Sequence, residues 1–438
     1  MEIADAVSAV RFRALTHGAL LPWLLLSCLL LPCQVMAAEQ AGASTAQPAP
    51  RDFFSDMQPL KNDLQRQRYL SDVLMRLPLE QRLIAQQLLA TVENELGLYD
   101  EAVRDFPFDN RVPFKGDLPQ PGEWQADDAV EAITKLATDR HIVMINEAHH
   151  DAHTRALTLA LLPRLRAEGF THFAAEALSD SDAGLMQRGY PVVASGTEYL
   201  HEPLYGEIVR QAIKLGFVVV PYESEVGDLA EREAGQARQL YRKVFQADPK
   251  ARLFVHAGYA HIDKVVGNLG GKVQPMAMLL KRLSGFDPLT IDQTRWRDIG
   301  SDVGSANYRQ LIALYQPQGP VVLRRRTDGT PWSSDPAAHD LDVLLPPVGH
   351  QRRPRWLSLD GLRTSHLITT DLCAKHIPCV VEARYAEESD DAIPADRYTF
   401  LNVDSMNSLF LYPGAYHLRS WDADGRTLIQ RNITVPKP

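Results

Sequence analysis

Cysteine is scarce in this chain. Four occur in 438 residues, and two of them, Cys28 and Cys33, sit in an apolar N-terminal stretch. The other pair, Cys373 and Cys379 in "CAKHIPC", has only His376 nearby, too few donors for a zinc site. Positive charge is not in excess either. A formal net charge of -9 removes the electrostatic case for nucleic acid or an acidic membrane surface. Past the first forty residues no run approaches the ~18 to 20 apolar residues that span a bilayer. The repeat-like "LGLYDEAVRDF" has no second copy at the roughly 34-residue period of such repeats, so a repeat array is not supported.

What is present is ordinary globular material, 45% apolar and 23% charged, long enough for two or three cored domains. Residues 1–38 read as a signal peptide: Arg11 and Arg13, then "ALLPWLLLSCLLLPCQVMAAEQ", with Val35 and Ala37, or Met36 and Ala38, placed for cleavage. A retained anchor is one alternative. Lipidation at Cys28 is another, weakened by the apolar "LLLP" that follows it. A cleaved leader implies a periplasmic or secreted protein with no membrane span. In such an oxidising compartment Cys373 and Cys379 are expected to form a disulfide.

Residues 39–51 are a polar, Pro-containing linker. Residues 52–115 carry three- and four-residue apolar spacing and strong helix formers, which predicts a helical segment, read as a hairpin packed on the main domain. From 116 to 345 the rhythm changes. "ADDAVEAITKLATD" reads as a helix with Asp127 and Asp128 in its first turn. Apolar runs "HIVMIN", "FTHFAAEA", "FVVVPYE" and "ARLFVHAG" then alternate with helical stretches that end at Gly169 and Gly216; "DPLTIDQT" and "GPVVLRRR" are two further strand candidates. Strands apolar on both faces, alternating with helices, predict an α/β fold: a mostly parallel sheet covered by helices. Its strand C-termini meet at one edge, where such sheets bind ligands. Residues 356–438 have short strand-like runs and a hairpin signal in "DADGR", which predicts a small all-β domain of sandwich type.

Each of the first four strands delivers titratable groups to that edge. The first ends in "NEAHHD", giving Glu147, His149, His150 and Asp151. The second gives Glu176, the third Tyr222 and Glu223, and the fourth, through "HAGYAHID", His256 and His261. One carboxylate at a strand end is commonly a cap or a solvated loop residue; four strands converging point to a shared site. Asp151 competes as a helix cap, His153 as a surface residue, and His256 as a hydrogen-bonded core histidine. Arg232 either neutralises the carboxylates and contacts substrate, as Glu223 does in the same reading, or is a plain surface charge. Residues 179–203 are long for a strand-to-helix connection. They are expected to fold over the site as a lid that brings Tyr199 or Glu202 to substrate.

The stretch "NEAHHDAHTRALTLALLPRLRAEGFTHFAAEAL" resembles the erythromycin esterase-like, ChaN-like and Tiki/TraB superfamily over about residues 135–265. "NEAHH" stands where that group has G-E-x-x-H or G-x-x-H, "AAEA" where a strand ends in Glu, and "GYAH" where a late G-x-x-H follows a strand. Asn146 replaces the expected glycine. The esterase-like register makes His150 the functional histidine and the ChaN- or Tiki-like register makes it His149; the three matches Glu147, Ala148 and His150 favour the first.

This resemblance implies several chemistries. In a metal-independent hydrolase, His150 is the base, Glu147 or Glu176 holds its tautomer, and His261 polarises the carbonyl or protonates the leaving group of a small-molecule or peptide substrate. In a metal-dependent one, Glu147, His149, Glu176 and His261 are mixed N/O ligands suited to Zn²⁺, Mn²⁺ or Co²⁺. With no tight H-E-x-x-H pair, the residues do not choose between these routes. A third reading is a haem-binding protein that uses Tyr222 or Tyr259, and a fourth is a non-catalytic envelope scaffold.

Overall fold

The structure, a computed structural model, describes residues 53–108, 114–224, 227–299, 305–401 and 405–437. The expected leader, with Cys28 and its cleavage site, and the linker lie outside the described residues.

Four helices come first: α1 (Phe53–Met57), α2 (Asp63–Val73), α3 (Leu79–Glu95) and α4 (Tyr99–Asp105). Asn62 starts α2 by accepting a hydrogen bond from the Gln65 amide. After α3 the chain turns at Gly97, whose φ is +72° and where any Cβ would lie 2.4 Å from the Arg397 carbonyl oxygen. Only glycine serves there. The apolar stripe of this segment, including Leu64, Leu70, Leu88 and Leu89, packs with Val380 and Trp421 of the C-terminal region. The helical reading therefore holds, and the packing partner of the segment's core is the tail.

The central unit runs β1 (Trp124–Asp128), α5 (Ala129–Ala137), β2 (Ile142–Glu147), α6 (His153–Ala167), β3 (His172–Ala175), α7 (Leu185–Arg188), α8 (Pro203–Lys214), β4 (Val218–Pro221), α9 (Leu229–Leu240), β5 (Leu253–Gly258), α10 (Met276–Ser284), β6 (Leu289–Trp296), α11 (Ala306–Tyr315), β7 (Val321–Arg325) and β8 (Leu341–Leu344). Its sheet has the order β1-β7-β8-β6-β2-β5-β3-β4. The six strands from β8 to β4 are parallel, and β7 joins antiparallel to both β8 and β1. Strands β2 and β5 are buried along their whole length, which is why their sequences are apolar without alternation. One face packs on α5, α6 and α8 through residues such as Leu161, Leu162, Ile208 and Phe254. The other packs on α9 and α10 through Leu240, Val255 and Leu280. Each such fully buried side chain contributes about 1.5–3 kcal/mol.

Two strands depart from the sequence reading. "ADD" forms the end of β1, and the helix starts only at Ala129, with Asp128 as its cap accepting from the Glu131 amide. The four-residue β8 lacks any length signal. Both lie on the β1-β7-β8 side, where pairing with β7 decides the structure.

The tail consists of β9 (Thr364–Thr369), β10 (Cys379–Tyr385), β11 (Asp396–Phe400), β12 (Met406–Leu411), β13 (Gly414–Asp422) and β14 (Thr427–Val435). They form a four-stranded antiparallel sheet, β11-β10-β13-β14, and a β12-β9 pair, with a shared core that includes Val381, Tyr398, Leu409 and Leu418. In the "DADGR" hairpin, Asp422 accepts from the Asp424 and Arg426 amides. Cys373 and Cys379 are joined, with Cα atoms 5.7 Å apart. No helix among the described residues is long and apolar enough to cross a membrane.

Candidate active site

Register places the polar residues at one edge. Glu147, the last residue of β2, pairs with Gly258, the last of β5, and Ala175 of β3 pairs with His256 and with Pro221 of β4. Glu176, Tyr222 and Glu223 follow at once, and His261 lies in the turn Tyr259–Ile262 that leaves β5. Tyr259 enters that turn with φ of 40°, a left-handed conformation that costs a non-glycine residue of order 1 kcal/mol or more.

Two clusters share this edge. The first centres on Glu147, which is buried. His149 Nδ1 lies 2.8 Å from Glu147 Oε1, Arg155 Nε donates to Oε2 at 2.5 Å, and His256 Nε2 lies 3.2 Å from Oε2. Arg155 is wholly buried and also binds Glu202 Oε2 at 2.9 Å and the His149 carbonyl at 3.1 Å. Burial would raise the Glu147 carboxyl, but the Arg155 guanidinium and His256 outweigh it and hold it well below the usual range. The first cluster thus keeps a fixed anion behind the His149 ring. Tyr199 of the 179–203 connection stacks flat on one face of that ring, with centroids 4.1 Å apart.

The second cluster centres on Glu176. Arg232 donates to Glu176 Oε1 at 2.7 Å and to Glu223 Oε2 at 2.5 Å, and the Gly258 amide donates to Glu176 Oε2 at 2.5 Å. His261 Nε2 lies 3.5 Å from Glu176 Oε1, and its Nδ1 forms a 2.5 Å ion pair with Glu233. Against burial, His261 and Arg232 bring the Glu176 carboxyl down to about 2. Burial pushes the His261 imidazole down, yet Glu233 and Glu176 carry it up to about 9. Glu176 is anionic and His261 cationic at neutral pH.

Gly258 is the seam between the clusters. A Cβ built on it would lie 2.4 Å from His149 Nε2 and 3.2 Å from Glu176 Oε2. The Nε2 edge of the His149 ring and the Glu176 carboxylate therefore flank the same glycine.

The remaining candidates fall elsewhere. His150 turns away from both carboxylates: Nδ1 meets the Tyr259 hydroxyl at 3.0 Å, Nε2 lies 3.4 Å from Arg297, and the ring stacks on Phe106 at 3.5 Å. Burial and Arg297 hold it well below its usual pKa. Glu202 is the cap of α8, accepting from the Leu204 and Tyr205 amides. Asp151 accepts from the His153 amide at the start of α6. His153 is buried against Trp356 rather than exposed, because the segment after β8 covers that turn of α6. Tyr222 is buried and donates to the His256 carbonyl.

The metal and haem expectations can be tested on these donors. Glu147 and Glu176 are each already bound by a buried guanidinium. Among the described residues, the metal-type side chains whose ligand atoms all lie within 4.8 Å of one another are Asp292, His339 and Asp342, outside both clusters. Each member of that trio has a partner outside it: Asn146 donates to Asp292, the Trp296 indole donates to Asp342, and His339 pairs with Asp263 at 2.7 Å. As placed, the expected quartet does not fit a transition metal. The tyrosines suggested for haem have their hydroxyls engaged.

Strand-end position alone does not point to Arg155 or Glu233. Arg155 did carry a signal: a cation in the first turn of a helix opposes the helix dipole and calls for an acidic partner. Glu233, inside "EREAGQAR", carried none.

No protein-family model matches the chain. No curated protein matches it. Among solved structures, the type III effector HopBA1 aligns over 41% of this chain and 87% of its own, at 14% sequence identity and a TM-score of 0.27.

Proposed function

We propose that the chain is a metal-independent hydrolase of an ester or amide bond, with His149 as the base in place of His150. The observation that carries this reading is the Glu147–His149 pair, with Nδ1 bound to a fixed anion and Nε2 facing the Gly258 seam. A carboxylate that holds Nδ1–H leaves Nε2 as a proton acceptor, the arrangement used wherever a histidine activates a hydroxyl or water. Arg155 keeps Glu147 ionised and immobile. In the reaction His149 Nε2 takes a proton from water as its oxygen attacks the carbonyl. Glu147 stabilises the imidazolium, and the proton then passes to the departing oxygen or nitrogen. Glu176, kept anionic by Arg232 and His261, orients the water or a polar group of the substrate across the seam. The resemblance to the erythromycin esterase-like, ChaN-like and Tiki/TraB superfamily supports hydrolysis in general, whereas His149 as the base follows the ChaN- or Tiki-like register and rests on the Glu147–His149 geometry alone. The export expected from the N-terminal stretch would place the activity in the periplasm or outside the cell.

The test is a panel of aryl esters, lactones and short peptides, assayed after dialysis against a chelator. Glu147→Gln and His149→Gln should each lower turnover by about 10²–10⁴-fold, the usual worth of a positioned base, while His150→Gln keeps most of it. A wild-type protein inactive on the whole panel, or equal losses at positions 149 and 150, would refute the assignment.

A further inference from the structure

A cavity of about 410 Å³ opens where the start of α2 meets one face of the four-stranded tail sheet. Strand pairing explains its chemistry. Glu382 of β10 stands opposite Arg397 of β11 on one side and Arg419 of β13 on the other. Side chains two residues apart share a face, so Arg384 and Trp421 join that row. The helices cover the Val380–Trp421 end of the face. The charged row, with exposed Lys61 at the rim, lines the cavity.

The charges in this cavity do not balance. Lys61, Arg384, Arg397 and Arg419 are four cations. Glu382 engages Arg384 and Arg397 and also feels Arg419, while Asp63, held by Arg66 at 2.8 Å, reaches Arg397 only at 4.0 Å. The other acid in the wall, Asp424, is held by Arg426 at 3.1 Å. Arg419 Nε is buried with no hydrogen-bond partner among the described residues. Glu95, whose carbonyl binds Arg397, adds no counter-charge, because burial and Asp63 keep its carboxyl well above the usual range. Holding one buried carboxylate needs one or two guanidinium groups. The surplus repels itself, in a protein whose net charge is -9.

We propose that this cavity binds a small organophosphate, a phosphate monoester or diphosphate on a compact polar body. Guanidinium forks match phosphate oxygens in pairs, and an anion carrying a charge of about −2 offsets most of the surplus. The volume falls in the range of small-molecule sites, roughly 300–1,000 Å³. Trp421 offers an apolar wall for the body of the ligand. The site is separate from the Glu147–His149 edge and does not depend on the hydrolase reading.

Calorimetric titration of the full chain tests this with glucose 6-phosphate, pyrophosphate, citrate and glucose as probes. Glucose 6-phosphate and pyrophosphate should bind, more weakly as salt rises, and glucose should not. Arg419→Gln should weaken binding by about tenfold or more, the worth of a charged hydrogen bond. Lys61→Gln, on an exposed residue where substitutions usually shift stability by no more than about 0.5 kcal/mol, should weaken it by a smaller factor and decides the matter if Arg419→Gln fails to fold. The proposal is overturned if neither phosphate releases heat at millimolar concentration, if citrate binds and both phosphates do not, or if both variants bind as the wild type does. In those cases the arginines serve only to seat the helical segment on the sheet.

Discussion

Arg155 shows how much of the site rests on one buried cation. It holds Glu147 and Glu202 at once, and neither carboxylate has water to fall back on. Arg155→Met should destabilise the fold by about 3–5 kcal/mol, as expected when one partner of a buried ion pair is removed. Urea denaturation would show it, and a loss under 1 kcal/mol would mean Glu147 is not ionised as argued. Gly258→Ala is the complementary test. Its methyl group meets the tip of the His149 ring, so hydrolysis should fall by tenfold or more, with a smaller loss of stability than in Arg155→Met. His261 gives a pH signature. Its folded pKa, about 9, exceeds the unfolded value near 6.5. The stabilisation it brings is therefore complete below about pH 6.5 and lost as pH rises through 9. The melting temperature of the wild type should drop across that window, and His261→Gln should flatten the drop. An unchanged slope in the variant would show that another group titrates there.

Among the elements, the connection from β3 to α8 is the one that covers the His149 ring. Its length marked it as a covering segment, and the structure lays Tyr199 flat on His149 while Glu202 goes to the helix cap and Arg155. Tyr199→Ala should raise KM and lower kcat for any substrate that needs a closed site, with little change in melting temperature; unaltered kinetics would reduce Tyr199 to a packing residue. This division also shows what the sequence could and could not reveal. Strands β2 to β5 were legible because burial on both faces forces continuous apolar runs, and the strand ends named Glu147, Glu176 and His261 for the same reason. The choice between His149 and His150 was not legible. Adjacent residues leave a strand end in opposite directions, and only the neighbours Arg297, Tyr259 and Phe106 on one side, against Glu147 on the other, show which ring joins the carboxylate. Strand β1 was hidden because "ADD" suits a helix start as well as a strand that β7 happens to pair. The partners of Arg155 were hidden because they lie eight and forty-seven residues away.

At the scale of the whole molecule, the helical segment, α/β unit and tail read as separate stretches in sequence, yet the buried contacts tie them together. The last turn of α3 spends its carbonyls on the tail: Arg397 donates to the Glu95 oxygen at 2.7 Å and Thr399 to the Leu96 oxygen at 2.7 Å. One residue earlier, Asn94 donates to the His149 carbonyl at 3.1 Å, so the same turn reaches the site. The tail also clamps α8, where Arg210 binds Glu388 and the Ile393 carbonyl. Each carbonyl stripped of its partner and left buried costs about 1–3 kcal/mol, and a core that includes Val380 and Trp421 would lose one wall. Truncation after residue 355 should therefore do more than remove an appendage. The shortened chain is expected to lose the ordered α1–α4 helices, seen as protease cleavage between residues 53 and 105, and to lose hydrolysis because the turn behind His149 loosens. The full chain should melt in one calorimetric transition. A truncated protein that resists protease and keeps wild-type turnover would show that the α/β unit holds its site unaided.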